Sequence, residues 1–152
     1  MTRQRRSDGQ SNCSLIIAGS RSLSSLWLPD DGSVVVRRCI AGSSRFELEA
    51  VAEVVSGTAR GPDTWGERFA QSQSGVELTR MPADWDTHGK RAGPIRNTEM
   101  AEYADGLLAI YDGQSAGTQD MIDTAVDRDM PVTVIRMDRE GIKRAVLRGE
   151  TQ

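Results

Sequence analysis

The stretch Gly106-Leu-Leu-Ala-Ile-Tyr111-Asp-Gly113-Gln-Ser-Ala-Gly117-Thr118 decides the fold. Its apolar run, Leu107 to Tyr111, is too short for an ordinary helix and suits a strand buried on both faces. A glycine-bearing loop follows at once. Behind it Met121, Ile122, Ala125 and Val126 recur at helical spacing, which predicts a helix over 118–128 with Thr118 capping its start. A strand, a polar turn and an amphipathic helix, in that order, make half of a parallel βαβ unit.

The same grammar occurs twice upstream. Ser14-Leu-Ile-Ile-Ala18 stops at Gly19-Ser20-Arg21, and Ala50-Val-Ala-Glu-Val-Val55 stops at Ser56-Gly57-Thr58-Ala59-Arg60-Gly61. Pro131-Val-Thr-Val-Ile135 supplies a further strand, and Val76-Glu-Leu78 a short one. Residues 62–72 read as a helix because Pro62 opens the first turn and Trp65 and Phe69 share a face. A second helix is expected over 94–104, with Met100, Ala101 and Ala104 inward and Asn97 one turn earlier. Between 22 and 49 the pattern is broken by Pro29, Asp30-Asp31-Gly32 and Gly42-Ser43-Ser44, so a helix is expected only near 33–41. These elements predict an α/β fold: a Rossmann-like three-layer domain with a mostly parallel sheet of about five strands. It spans residues 14–137, between a flexible basic tail at 1–13 and a charged tail at 138–152.

Composition agrees with that reading. The chain has 152 residues, 38% hydrophobic and 27% charged, with a mean hydropathy of -0.46, which fits one globular domain. No apolar run approaches the roughly 18 residues needed to cross a bilayer. Arg3, Arg5 and Arg6 precede no secretory-type apolar segment, so a cytoplasmic location is expected. Cys13 and Cys39 lack CxxC spacing and the chain has one histidine, which points to buried thiols and to neither a metal site nor a disulfide framework. A net charge of -3 and a pI of 5.2 count against duplex binding, which draws on clustered positive charge. The positive charge is nearly all arginine, whose fork suits phosphate and carboxylate oxygens.

A parallel sheet binds ligands outside the carboxyl ends of its strands, where strand order reverses. The loops Gly57-Thr58 to Gly61 and Gly113 to Gly117-Thr118 lie at such ends. There backbone N–H groups and a helix start favour an oxyanion. The polar segment Ala83–Met100 adds further candidates. Arg96 and Asn97 suit a phosphate or ribose, Asp84 suits sugar hydroxyls, and Trp85 suits stacking on a base. His88 and Lys90 read as solvated loop residues. Asp63 and Asp120 fall in first turns of helices, where a carboxylate is favoured in any case.

In order along the chain stand IIAGSRS (16–22), VVSGTARGPD (54–63), ADWDTHGKRAGPIRNTEM (83–100), YADGLLAIYDGQSAGT (103–118) and DMIDTA (120–125). This series resembles the YspA-like branch of the SLOG superfamily, which also holds the lonely-guy phosphoribohydrolases and DNA-processing protein A. The resemblance covers about residues 14–136. It implies a Rossmann-like domain for nucleotides or nucleotide-derived ligands, with binding roles for Gly19, Ser20, Arg21, Gly57, Arg60, Gly61, Asp63, Asp84, Arg96, Asn97, Gly117 and Thr118. It also implies a tendency toward homo-oligomers, without marking a contact face. The lonely-guy signature PGGxGTxxE is incomplete here: the proline and second glycine are missing, Met121 occupies the glutamate position, and Asp120 is one residue away.

Three functions follow. The first is capture of a nucleotide or nucleotide-derived ligand by a sensor, carrier or sequestering protein without a cofactor. The second is N-glycosidic hydrolysis of a nucleoside monophosphate, with Asp120 or Glu99 assisting water and Arg96 holding phosphate. The third, single-strand DNA binding, is disfavoured by the acidic balance and by 5% aromatic content.

Overall fold

A computed structural model describes residues 12–26, 28 and 30–138. The expected tails fall almost wholly outside these residues, as does Pro29. Five parallel strands, β1 (Cys13–Gly19), β2 (Val51–Ser56), β3 (Glu77–Arg80), β4 (Gly106–Tyr111) and β5 (Val132–Arg136), form one sheet in the order β3-β2-β1-β4-β5. The helices are α1 (Ser33–Ala41), α2 (Pro62–Ser72), the short α3 (Trp85–His88), α4 (Ala92–Tyr103) and α5 (Ala116–Asp127). The architecture is the expected three-layer α/β domain.

Alternation along the strands sorts the core into two layers. Leu15 and Ile17 of β1 and Leu108 and Ile110 of β4 face α1 and α2, where they meet Val36, Ile40, Trp65 and Phe69. Ile16 and Ala18, with Leu107 and Ala109, face the other way onto Met100 and Ala101 of α4 and Met121 and Ala125 of α5. Most of these side chains are fully buried, which is why their strands read as near-continuous apolar runs. A buried carboxylate of the sheet, Glu53 of β2, accepts hydrogen bonds from the hydroxyls of Ser14, Thr79 and Tyr103.

Strand ends differ from expectation by a residue or two, and the helix of the weakly patterned stretch runs from Ser33 to Ala41. Helix α5 departs from the expected 118–128. It starts at Ala116, with Ser115 as its N-cap residue, so Thr118 lies inside the first turn and does not cap it. The cause is Asp112, whose Oδ1 accepts the N–H groups of Gln114 (2.8 Å) and Ser115 (2.9 Å) and winds the chain into the helix early. Asp112 also takes the Ser22 hydroxyl at 2.6 Å, joining the loop after β1 to the loop after β4. These bonds hold its carboxyl well below the usual carboxylate range. Cys39 is buried, which pushes its thiol up to about 11, whereas Cys13 is only partly buried.

Candidate functional site

Because all five strands are parallel, the loops after β1, β2 and β4 open on the same edge of the sheet. Strand order reverses between β1 and β4, and there lies a cavity of about 530 Å³. Gly19 and Arg21 border it after β1, Ala59 and the α2 residue Asp63 after β2, and Ser115 with the first-turn residues Ala116 to Thr118 of α5 after β4. Helix α4 contributes Arg96, Asn97 and Met100, and α5 adds Asp120 and Met121. Trp85 and Lys90 stand at the exposed mouth.

The three loops do not offer the same chemistry. The Gly19 N–H is donated to Asp63 Oδ1 at 3.3 Å, the Ala59 N–H to Asp63 Oδ2 at 3.2 Å, and the Thr58 N–H to Ser56 Oγ at 3.0 Å. The first two loops therefore spend these amides on the protein itself. At the third, Ser115 supplies no side-chain cap, and the first-turn N–H groups of Ala116, Gly117 and Thr118 have no acceptor within their helix. They are presented at the cavity with the positive end of the α5 dipole.

Charge reinforces this. Arg96 Nη1 donates to the Gly57 carbonyl, and its Nε donates to Asn97 Oδ1 at 3.1 Å. Partial burial lowers its guanidinium from the ordinary value; Asp63 opposes that change and nearby Arg21 adds to it. Two arginines that repel each other at one opening favour an anion between them. Asn97 Nδ2 donates to Asp120 Oδ2 at 2.9 Å, so the amide ties Arg96 to Asp120. Asp63 is buried, and that burial pushes its carboxyl up to about 6 despite the amides and the arginine.

No family model matches the chain. The Gene 61 protein of Mycobacterium phage D29 is 42% identical over 84 residues, covering 52% of this chain and 67% of the phage protein. The chain belongs to the family of that phage protein. Among solved structures, a molybdenum cofactor binding protein from Rippkaea orientalis superposes with a TM-score of 0.53 at 15% identity, covering 92% of this chain and 86% of the other. DNA processing protein A from Helicobacter pylori, described for its single-stranded DNA binding mode, gives 0.53 at 16% identity and covers 93% and 75%. Both neighbours are SLOG-type folds, and at these identities the likeness is one of fold.

Placed on this family member, the sequence candidates divide. The cavity gathers Gly19, Arg21, Asp63, Trp85, Arg96, Asn97, Gly117, Thr118 and Asp120. Ser20 is fully buried behind it, receiving the Asp112 N–H at 3.0 Å and facing the Thr118 hydroxyl at 3.3 Å. Gly57 backs the Arg96 guanidinium: a Cβ there would come within 2.6 Å of Nη1. Gly113 lies against Arg136. Arg60 and Gly61 turn to a separate hollow beside Thr64 and Arg68. Thr58 is exposed in a left-handed conformation at φ 67°. Asp84 caps α3, accepting the Thr87 N–H at 3.1 Å, and is not among the cavity residues.

Sequence reading did not mark Ala18, Ala59, Gly93, Pro94, Met100, Ser115, Ala116 or Met121 as cavity residues, and it placed Lys90 in solvent. Ala18 and Ala116 carried a usable signal, being small residues beside glycine loops at a strand end. Met100 and Met121 carried none, because a thioether on an inward helical face reads as ordinary core. Met121 is indeed buried, and its side chain borders the cavity.

Proposed function

We propose that this protein captures a nucleotide or nucleotide-derived ligand, with the anionic part on the first turn of α5 and between Arg21 and Arg96. It does so as a sensor, carrier or sequestering protein in the cytoplasm, within the YspA-like branch of the SLOG superfamily. The uncapped first turn of α5 facing two arginines carries the reading. Trp85, 50% exposed at the mouth, offers a face for a heteroaromatic ring. The two fold neighbours are likewise ligand-binding proteins, one for a molybdenum cofactor and one for single-stranded DNA.

Hydrolysis is the second reading, favoured by one observation: Asp120 borders the cavity, fixed by Asn97 through one oxygen only. Met121 in place of the expected glutamate weighs the other way. Calorimetry with AMP and ribose 5-phosphate tests capture, and the expected result is saturable binding of at least one. Absence of binding by either refutes the reading. Chromatography of the same mixtures for free base decides between the two readings, since base release lost in Asp120→Asn would make the protein a hydrolase.

A further inference from the structure

Asp63 is an unusual neighbour for an anion. Only 4% exposed, it receives the backbone N–H groups of Gly19 and Ala59 and so joins the loops after β1 and β2. It also borders the cavity that holds Arg96. A Cβ added to Gly57 would lie 2.6 Å from Arg96 Nη1 and 3.0 Å from Asp63 Oδ2, so guanidinium and carboxylate flank the same Cα. An anion drawn to Arg96 therefore arrives next to a carboxylate with little water between them.

Two like charges at such separation disfavour each other's ionised form, and the usual resolution is that one takes a proton. The charged groups around Asp63 bear on which one. Arg96 of α4 stabilises its ionised form, and Glu67, one turn along α2, opposes it. Arg21, Lys90 and Asp120 border the same cavity, and their charges sum to a single positive one. Burial has already raised the Asp63 carboxyl to about 6, so near neutral pH little further change protonates it.

We propose, on the nucleotide reading above, that Asp63 makes capture of a phosphomonoester proton-linked: a solvent proton settles on its carboxyl oxygen as the phosphate enters. The protonated oxygen then donates a hydrogen bond where the ionised one would repel. No covalent bond is made or broken. A site of arginine and amides alone would bind a phosphomonoester more tightly as its second ionisation near pH 6 completes, then level off. The Asp63 site instead weakens from pH 7 to pH 8.

The test is calorimetry of AMP with the full chain at pH 7 in two buffers of different ionisation enthalpy, with affinities measured up to pH 8. The expected result is uptake of a sizeable fraction of one proton per AMP and an affinity falling by up to about tenfold per pH unit. In Asp63→Asn both effects vanish. Should that variant not fold, the wild-type heats and pH series decide alone. Buffer-independent heat with affinity level or rising toward pH 8 overturns the proposal while leaving the nucleotide site standing. No AMP binding at any pH overturns the nucleotide reading and this proposal with it.

Discussion

Gly117 gives the sharpest perturbation. A Cβ built there meets no atom within 4 Å, whereas one at Gly19 would lie 2.2 Å from the Ile110 carbonyl oxygen. The fold thus needs glycine at 19 and leaves it without packing purpose at 117. In a helix, glycine costs about 0.5–1 kcal/mol relative to alanine. Gly117→Ala should therefore stabilise the ligand-free protein by up to that amount, raising Tm by roughly 1–4 °C in a chain of 152 residues. The methyl group occupies space in front of the α5 amides. If it displaces one charge-assisted hydrogen bond, worth about 1.5–3 kcal/mol, affinity for AMP falls by roughly tenfold to a hundredfold. Thermal melts without ligand and calorimetry with AMP read the two effects, which have opposite signs. A destabilised variant would mean that the fold itself requires this glycine. A stabilised variant with unchanged affinity would mean that the phosphate lies elsewhere.

Arg96→Ala should weaken AMP capture by about 1–3 kcal/mol in calorimetry, and unchanged affinity would remove Arg96 from the site. Gly57→Ala pushes a methyl into the Arg96 guanidinium, so it should lower affinity in the same assay while leaving the far-UV circular dichroism unchanged. Thr58→Gly relieves a β-branched residue at φ 67° and should stabilise the protein by about 1–2 kcal/mol in urea melts. For Asp63 the folded value of about 6 lies above the ordinary 3.8, so the folded state binds the proton more readily than the unfolded state. Its contribution therefore grows as pH falls from 6 to 4, and at pH 7 the ionised group costs about 3 kcal/mol. Asp63→Asn should gain on wild type at pH 7, by less than that because its amide accepts only one of the two N–H groups. The gain should disappear at pH 4, and urea melts showing the same difference at both pH values would refute the assignment.

Strands β1, β2 and β4 were legible because both of their faces are buried, and the resulting apolar runs between glycines leave little choice of period. Helix α2 announced itself through Pro62 and the Trp65–Phe69 pair. Less legible was whatever depends on side chains meeting across the sheet edge. Asp112 and Ser22 are 90 residues apart in sequence, yet their bond shapes the loop from which α5 starts. The amides at Gly19 and Ala59 looked available for a ligand, and only the folded position of Asp63 shows them occupied. For Asp84 the signal was present: an acidic residue three positions before Thr87 is an N-cap pattern, which competed with the reading of a sugar contact.

The lacing of Ser20, Ser22 and Asp112 across the switch point ties the loops after β1 and β4 together beside the cavity. Its mouth is bordered by Trp85 of α3, a single exposed turn that packs beside residues 89–91 and the start of α4. On the nucleotide reading proposed above, substitutions within residues 85–91 would alter the ring that is accepted without disturbing the sheet.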